Sequence, residues 1–88
     1  MNTVFLKQTI ERAIKDQRFL KIDYVSKKME ITTDRVIEPL QIIKDKEGNM
    51  ETLQAQDPKK KGMRTFQFEG IQKLEVVSPV EAYVAAIR

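Results

Sequence analysis

The chain has 88 residues, of which 41% are hydrophobic and 33% charged, a composition typical of one small globular domain rather than of a disordered chain. It contains no histidine and no cysteine, which excludes disulfides, cysteine nucleophiles, imidazole acid–base catalysis and zinc sites with the usual ligands. The net charge of +3 is unevenly distributed, since both ends of the chain are basic and the middle is acidic. This pattern has two interpretations: a mixed, solvated surface, or a basic face for an anionic partner.

The sequence has no signal for export or catalysis. No apolar run approaches the roughly 20 residues of a membrane span, and the first segment becomes charged too early for a signal peptide. We therefore expect one cytoplasmic domain over residues 1–88. No paired-acid or Gly-rich phosphate-loop pattern organises the carboxylates, lysines and hydroxyls. We predict no enzymatic activity, no catalytic residues, no metal site and no cofactor.

The first predicted elements are a helix and a strand. A helix is predicted over about residues 3–17, with Thr3 as its N-cap. An apolar stripe at helical spacing defines its core face: Leu6, Ile10, Ala13, Ile14 and Gln17. The period then changes in FLKIDYVS, where Leu20, Ile22 and Tyr24 alternate with other residues and predict a half-buried strand.

The middle of the chain predicts four more strands. After a turn at KKME, ITTDRVIEP predicts a strand that ends near Pro39, LQIIKDK continues in extended form, and EGN supplies hairpin turn chemistry. METLQAQD, MRTFQFE and IQKLEVV are the remaining strand candidates, and Gly70 predicts a bulge or sharp bend. The predicted fold is mainly β: a small, closed or nearly closed five-stranded antiparallel barrel over about residues 19–77.

A C-terminal helix is predicted over about residues 79–88, with Ser78 as N-cap, Pro79 at the first position and Glu81 closing a capping box. Four apolar side chains recur on it at helical spacing: Val80, Tyr83, Val84 and Ile87. They are interpreted as packing against the barrel, with a symmetric dimer contact as the alternative.

Arg64 shares a strand side with Phe66 and Phe68, where core residues are expected. If DPKKKG is the loop of a hairpin and Asp57 pairs with Arg64, the register also pairs Ala55 with Phe66 and Leu53 with Phe68. All apolar residues of these pairs then face inward. Arg64 then lies at the rim with its guanidinium at the barrel mouth. Two interpretations remain: a salt bridge to Asp57 or Glu38, or a receptor for an anion such as phosphate.

Three segments resemble the WYL domain family in order and spacing: RVIEPL (35–40), LQAQD (53–57) and RTFQFEGI (64–71). Ile22–Asp23–Tyr24 lies where the family has an Ile–x–Tyr strand, and the resemblance covers about residues 19–77. It implies an Sm-like small barrel acting as a ligand-sensing module. Such domains usually belong to bacterial transcription regulators, often linked to phage defence or DNA damage, and bind single-stranded nucleic acid or other anionic ligands at a basic pocket.

The chain departs from the family at the positions that matter for binding. Glu51–Thr52–Leu53 replaces the Trp–Tyr–Leu motif, so both aromatics are missing. Gln67 and Gly70 replace the second and third arginines of the last motif, and Arg64 alone remains. Aromatic stacking and a multi-arginine pocket, two means of holding single strands, are therefore partly lost.

Arg64 is the predicted main phosphate contact, with Arg35 and Tyr24 as neighbours in the pocket. Arg35 corresponds to the family's strand-two arginine, but it also fits a solvated strand charge beside Asp34. Tyr24 also fits a core aromatic with its hydroxyl at the rim.

Two further groups complete the predicted site. Lys59, Lys60 and Lys61 form either a clamp on a nucleic-acid backbone or a solvated hairpin tip. Thr52, Gln54 and Gln67 lie on the outer side of their strands, where they either form a polar contact face or keep the barrel soluble.

The predicted function is a non-enzymatic regulatory module that binds single-stranded nucleic acid or a smaller anionic ligand through a basic rim pocket. The alternative is a protein-interaction or dimerisation module with a vestigial pocket. The predicted partners are accordingly a single strand or small anion, and a second copy or a partner regulator chain; no membrane association is predicted.

Overall fold

The computed structural model describes residues 2–44, 47–48, 51–58 and 62–87, with the backbone alone of Glu51. Two helices flank five strands: α1 Thr3–Lys15, β1 Phe19–Val25, β2 Ile31–Lys44, β3 Glu51–Asp57, β4 Gly62–Gln67, β5 Ile71–Val77 and α2 Pro79–Ile87. A 3-10 turn, Phe68–Gly70, joins β4 to β5. The predicted order of elements is confirmed.

Helix α1 begins and ends differently from the prediction. Asn2, not Thr3, is the N-cap, because its side-chain oxygen accepts hydrogen bonds from the amides of Val4 (2.8 Å) and Phe5 (3.3 Å). The helix ends at Lys15, and Gln17 adopts a left-handed conformation with φ 55°. Gln17 is therefore exposed and does not extend the apolar stripe.

The five strands form one antiparallel sheet in the order β4-β3-β2-β1-β5. Strand β2 is the long central strand and continues through Pro39, where the sequence predicted an end. The register shifts between Pro39 and Gln41, so Leu40 is an extra residue on β2. Proline has no backbone N–H to donate to a ladder, and a bulge at this point allows it to lie inside a sheet.

The sheet has two edges, β4 and β5. No pairing between these strands occurs in the described residues. The prediction of five antiparallel strands is confirmed, but they form one open sheet and the predicted closure into a barrel is not observed. The 3-10 turn lies between them, with Phe68 and Gly70 buried. This turn corresponds to the sharp bend predicted at Gly70.

The core lies between α1 and one side of the sheet. Helix α1 contributes three buried side chains, Leu6, Ile10 and Ala13, and strands β1, β3 and β4 contribute the side predicted from their alternation. The strand residues of this core are Leu20, Ile22, Ile37, Leu53, Ala55, Phe66 and Ile71. Burial of each large aliphatic side chain stabilises the fold by about 1.5–3 kcal/mol before entropy losses.

Helix α2 packs in a different orientation from the one predicted. Its four large apolar residues point outward, with exposed fractions of 73% for Val80, 66% for Tyr83, 37% for Val84 and 63% for Ile87. Ala82 is its one buried residue. The prediction that the large residues pack against the sheet is therefore wrong, since helical spacing identifies an apolar stripe but not what it faces. No helix in the described ranges has the length and hydrophobicity to cross a membrane.

Polar contacts fix the orientation of α2. The Ser78 hydroxyl accepts a hydrogen bond from the Glu81 amide at 3.1 Å, which confirms Ser78 as the N-cap. The Glu81 carboxylate binds Lys21 of β1 instead of closing a capping box; Lys21 Nζ lies 2.9 Å from both Glu81 Oε1 and Glu75 Oε1. We call these three residues the Lys21 ion-pair cluster. The hydrogen bonds to Glu75 and Glu81 raise the pKa of Lys21, and the bond to Lys21 lowers the pKa of Glu75.

Candidate anion-binding site

Tyr24 forms the centre of the candidate site. Its ring meets Phe66 of β4 edge-on, with ring centroids 5.0 Å apart and an interplanar angle of 88°. Its hydroxyl accepts a hydrogen bond from the Gln67 amide at 3.0 Å. Tyr24 is thus a core aromatic that links β1 to the edge strand β4, and its ring is not free to stack on a base.

Gly70 makes this arrangement possible. A Cβ atom at Gly70 would lie 2.4 Å from the Val25 carbonyl oxygen and 2.6 Å from Cε1 of Tyr24. Both distances are far below van der Waals contact, so a larger residue would displace Tyr24 or the β1 backbone. The position at which the family resemblance expects an arginine is therefore closed to one with this backbone.

A β-bulge turns Arg35 inward. Ile22 pairs with Arg35 and Tyr24 pairs with Thr32, so Thr33 and Asp34 together oppose Asp23. Asp34 has φ 51°, and its amide donates to Asp23 Oδ1 at 2.8 Å. Because of the extra residue, both Thr32 and Arg35 lie on the inner side of β2.

Arg35 is held by an internal carboxylate. Its Nη2 lies 2.9 Å from Asp57 Oδ2, and the two side chains are only 19% and 7% exposed. The guanidinium carbon lies 5.3 Å from the centre of the Phe66 ring, a distance suited to a cation–π contact. Arg35 is therefore a structural cation whose charge Asp57 already neutralises, and it is not the solvated strand charge that was one of the two interpretations.

Arg64 occupies a different register from the predicted one. The strands pair as Leu53–Phe66, Ala55–Arg64 and Asp57–Gly62. Each β3 residue therefore pairs with the β4 residue that lies two positions closer to the hairpin tip than the predicted partner. The connection between Asp57 and Gly62 has four residues, so the inward parity is right and the partners are wrong. Arg64 pairs with Ala55 and is exposed, and no hydrogen bond or ion pair joins its side chain to another described residue. The predicted salt bridges to Asp57 and Glu38 are absent among these residues.

Thr52, Gln54 and Gln67 lie on the opposite side of the β3–β4 ribbon from Arg64. Thr52 pairs with Gln67, and Gln54 pairs with Thr65 and binds the Gln41 amide at 2.5 Å. All three predicted residues are half-buried on the outer side of the sheet. The structure therefore does not bring them together with Arg64, Arg35 and Tyr24.

Lys27 is a basic residue that sequence reasoning did not include. In the orientation of the Gln67 amide that satisfies both neighbours, its oxygen accepts from Lys27 Nζ and its nitrogen donates to Glu69 Oε1, each at 3.2 Å. Lys27 lies in the turn between β1 and β2, and only its place beside the Ile–x–Tyr strand hinted at this contact. The predicted clamp residues Lys59, Lys60 and Lys61 lie outside the described residues.

Comparison with known proteins gives a family model and similar solved structures. The family model described as "WYL domain" matches residues 6–76. The structure titled "Proteasome accessory factor B/C (PafBC) of Arthrobacter aurescens" is similar, with a TM-score of 0.70 and 25% identity over 83% of this chain. The match covers only 11% of that much longer chain. No curated protein sequence matches the chain.

Proposed function

Because the chain belongs to the WYL domain family, we propose that it is a non-enzymatic, cytoplasmic regulatory module that binds single-stranded nucleic acid or another anionic ligand. The family resemblance supports a role in bacterial transcription regulation or phage defence. An Sm-like small barrel is supported by the Tyr24–Gln67 hydrogen bond, which joins β1, the neighbour of edge strand β5, to the end of edge strand β4.

The exposed charge of Arg64 carries this proposal. Two arginines lie on the inner side around Phe66, and Asp57 neutralises one of them, Arg35. Arg64 has no such partner in the described part of the chain. A guanidinium at the surface offers a rigid donor fork for a phosphate or carboxylate without first losing an internal ion pair. Lys27, on the turn after β1, contacts the Gln67 side chain on the opposite side of the β3–β4 ribbon, so it does not add to the charge of Arg64.

Phosphate contacts rather than base stacking would supply the affinity. Tyr24 is packed edge-on against Phe66 and hydrogen-bonded, and the family's two aromatics are replaced by Glu51 and Thr52. Stacking contributes about 1–3 kcal/mol per base where it occurs. Without it, binding should be weak, tolerant of sequence and strongly dependent on salt.

The first prediction concerns Arg64→Ala. Loss of one charge-assisted contact to phosphate should weaken binding of a labelled single strand roughly tenfold, about 1.4 kcal/mol, and reduce the salt slope by about one. Fluorescence anisotropy with single-stranded DNA, single-stranded RNA and duplex, at low and near-physiological salt, measures both effects.

Arg12→Ala is the matched control. Arg12 is an exposed arginine on α1, outside the site, so its removal changes the net charge equally but should leave single-strand binding close to that of the wild type. Equal weakening by both variants would show only non-specific attraction to a basic protein. Absence of binding by the wild type would refute the proposed ligand class.

The exposed stripe of α2 favours a second candidate function, a protein-interaction or dimerisation module. Val80, Tyr83 and Ile87 are each more than 60% exposed, which is unusual for adjacent apolar residues on one helix. A dimer with an isologous α2 contact would dissociate in the Val80→Ser/Ile87→Ser double variant during sedimentation. A wild type that stays monomeric at high concentration and captures no protein partner would exclude this candidate.

A further inference from the structure

A half-open cavity of about 340 Å³ lies between α2 and the ends of β1, β3 and β5. Its walls are mainly apolar, with Phe19, Val77 and Pro58 from the strand ends and Ala82 and Ala86 from the helix. Its volume is within the range of pockets that hold small molecules. It shares no lining residue with the site around Tyr24, Phe66, Arg35 and Arg64.

The cavity follows from the orientation of α2. The helix turns its small residues, Ala82 and Ala86, toward the sheet. Of its large residues only Tyr83 also lines the cavity, and it stays 66% exposed. The Lys21 ion-pair cluster and the Ser78 N-cap hold it in this orientation. Small residues on the inner face leave space that the helix cannot fill by moving closer. Apolar walls that face water in this way gain stability when an apolar ligand covers them.

One cation stands at the cavity wall. Arg18 follows a Schellman motif that ends α1, in which the Gln17 amide donates to Ile14 O (3.2 Å) and the Arg18 amide to Ala13 O (2.8 Å). The motif fixes the Arg18 backbone at the edge of the cavity. Its guanidinium reaches only the Val77 carbonyl oxygen, at 3.4 Å, and has no acidic partner among the described residues.

We infer that this cavity binds a small amphipathic anion, with a short hydrocarbon chain or single ring among Phe19, Val77 and Ala86 and a carboxylate or similar group on Arg18. The apolar walls select the body of the ligand, and the charge of Arg18 selects its sign. Glu81, the acidic residue of α2, is committed to Lys21 and does not neutralise Arg18. Binding here is independent of the nucleic-acid function proposed above.

Octanoate is the probe, because its chain fits the volume and its head group is a carboxylate. Isothermal titration calorimetry of the wild type should show saturable binding of one octanoate per chain, with octylamine and octanol at least tenfold weaker. Amide chemical-shift changes on octanoate addition should centre on Phe19, Val77 and Ala86. A wild type that binds no octanoate, or binds octylamine equally well, overturns the inference.

Two variants with matched controls locate the ligand. Arg18→Gln should weaken octanoate binding about tenfold by removing a charge-assisted contact, whereas Arg12→Gln, on the exposed side of α1, should not. Ala86→Phe fills the cavity and should abolish binding, whereas Ala85→Phe, beside it but outside the lining, should retain it. Chemical-shift mapping on the wild type decides the matter if Ala86→Phe fails to fold. Shifts centred away from the cavity, or full binding by a folded Ala86→Phe variant, contradict the assignment.

Discussion

Gly70 and Gly48 are glycines for two different physical reasons. At Gly70 the constraint is space, since a Cβ would lie 2.4 Å from the Val25 carbonyl oxygen. At Gly48 it is the backbone, which has φ 71° with nothing within 4 Å of a Cβ. Gly70→Ala should therefore lower the free energy of unfolding by about 3 kcal/mol through overpacking. Gly48→Ala should lower it by about 1 kcal/mol through left-handed strain. Urea unfolding measures both.

A local probe distinguishes these two effects further. Because the Gly70 methyl would press on the Tyr24 ring, Gly70→Ala should also change the near-ultraviolet circular dichroism of the tyrosines. Gly48→Ala should leave that spectrum unchanged. If the two variants lose equal stability and neither alters the spectrum, the close approach at Gly70 does not matter to the fold.

The site residues show which features of the site could be predicted from the sequence. Alternation correctly predicted that Tyr24 and Phe66 face inward. The partners of Arg35 and Arg64 could not be predicted, because they depend on how far the β3–β4 strands pair toward their tip. A shift of two residues keeps every side chain on its side of the sheet but moves Asp57 from Arg64 to Gly62, beside Arg35. Which arginine remained uncompensated therefore depended on the length of one hairpin connection.

At the scale of elements, the Lys21 ion-pair cluster is expected to hold α2 on the sheet. Lys21→Met removes the cation shared by Glu75 and Glu81 while keeping an apolar stem. The amides of α2 should then exchange faster with deuterium at neutral pH, while those of the core strands stay protected. Lys28→Met, at an exposed lysine of the β1–β2 turn, is the matched control. Unchanged exchange in α2 would mean that Ala82 packing alone positions the helix.

The cluster also has a pH dependence of definite sign. The pKa of Glu75 is lowered in the folded chain by its bond to Lys21, so its stabilising contribution is present at neutral pH and is lost as the pH falls through that lowered value. The pKa of Lys21 is raised, so its contribution persists as the pH rises well past neutrality. The difference in unfolding free energy between wild type and Lys21→Met should therefore narrow in acid and stay constant from neutral to moderately alkaline pH.

The elements themselves were largely predictable, and their irregularities were not. Period-2 and period-3.6 patterns located both helices and all five strands within a few residues. The bulges at Asp34 and Leu40 were missed because an extra residue is defined by the partner strand, not by its own sequence. The outward face of α2 was missed because a stripe of apolar residues fits a buried contact and an intermolecular contact equally well.

For the molecule as a whole, the gap between β4 and β5 decides whether the sheet behaves as a barrel. No ladder closes it in the described residues, and the 3-10 turn joins the end of β4 to the start of β5. The Tyr24 hydroxyl crosses from β1 to the Gln67 amide at the end of β4. That bond satisfies a half-buried donor that an open edge would leave unpaired. A single side chain thus links β4 to β1, the neighbour of the other edge strand.

Tyr24→Phe tests this closure. The variant keeps the ring contact with Phe66 but leaves the Gln67 amide without its acceptor, which should cost about 1–2 kcal/mol. The loss should be local: amides of β4 and of the Phe68–Gly70 turn should exchange faster with deuterium, while β1 and β2 keep their protection. Tyr83→Phe, which removes an exposed hydroxyl from α2, is the control. If β4 exchanges no faster in Tyr24→Phe than in the control, its edge is held by packing and the hydroxyl is not what closes the sheet.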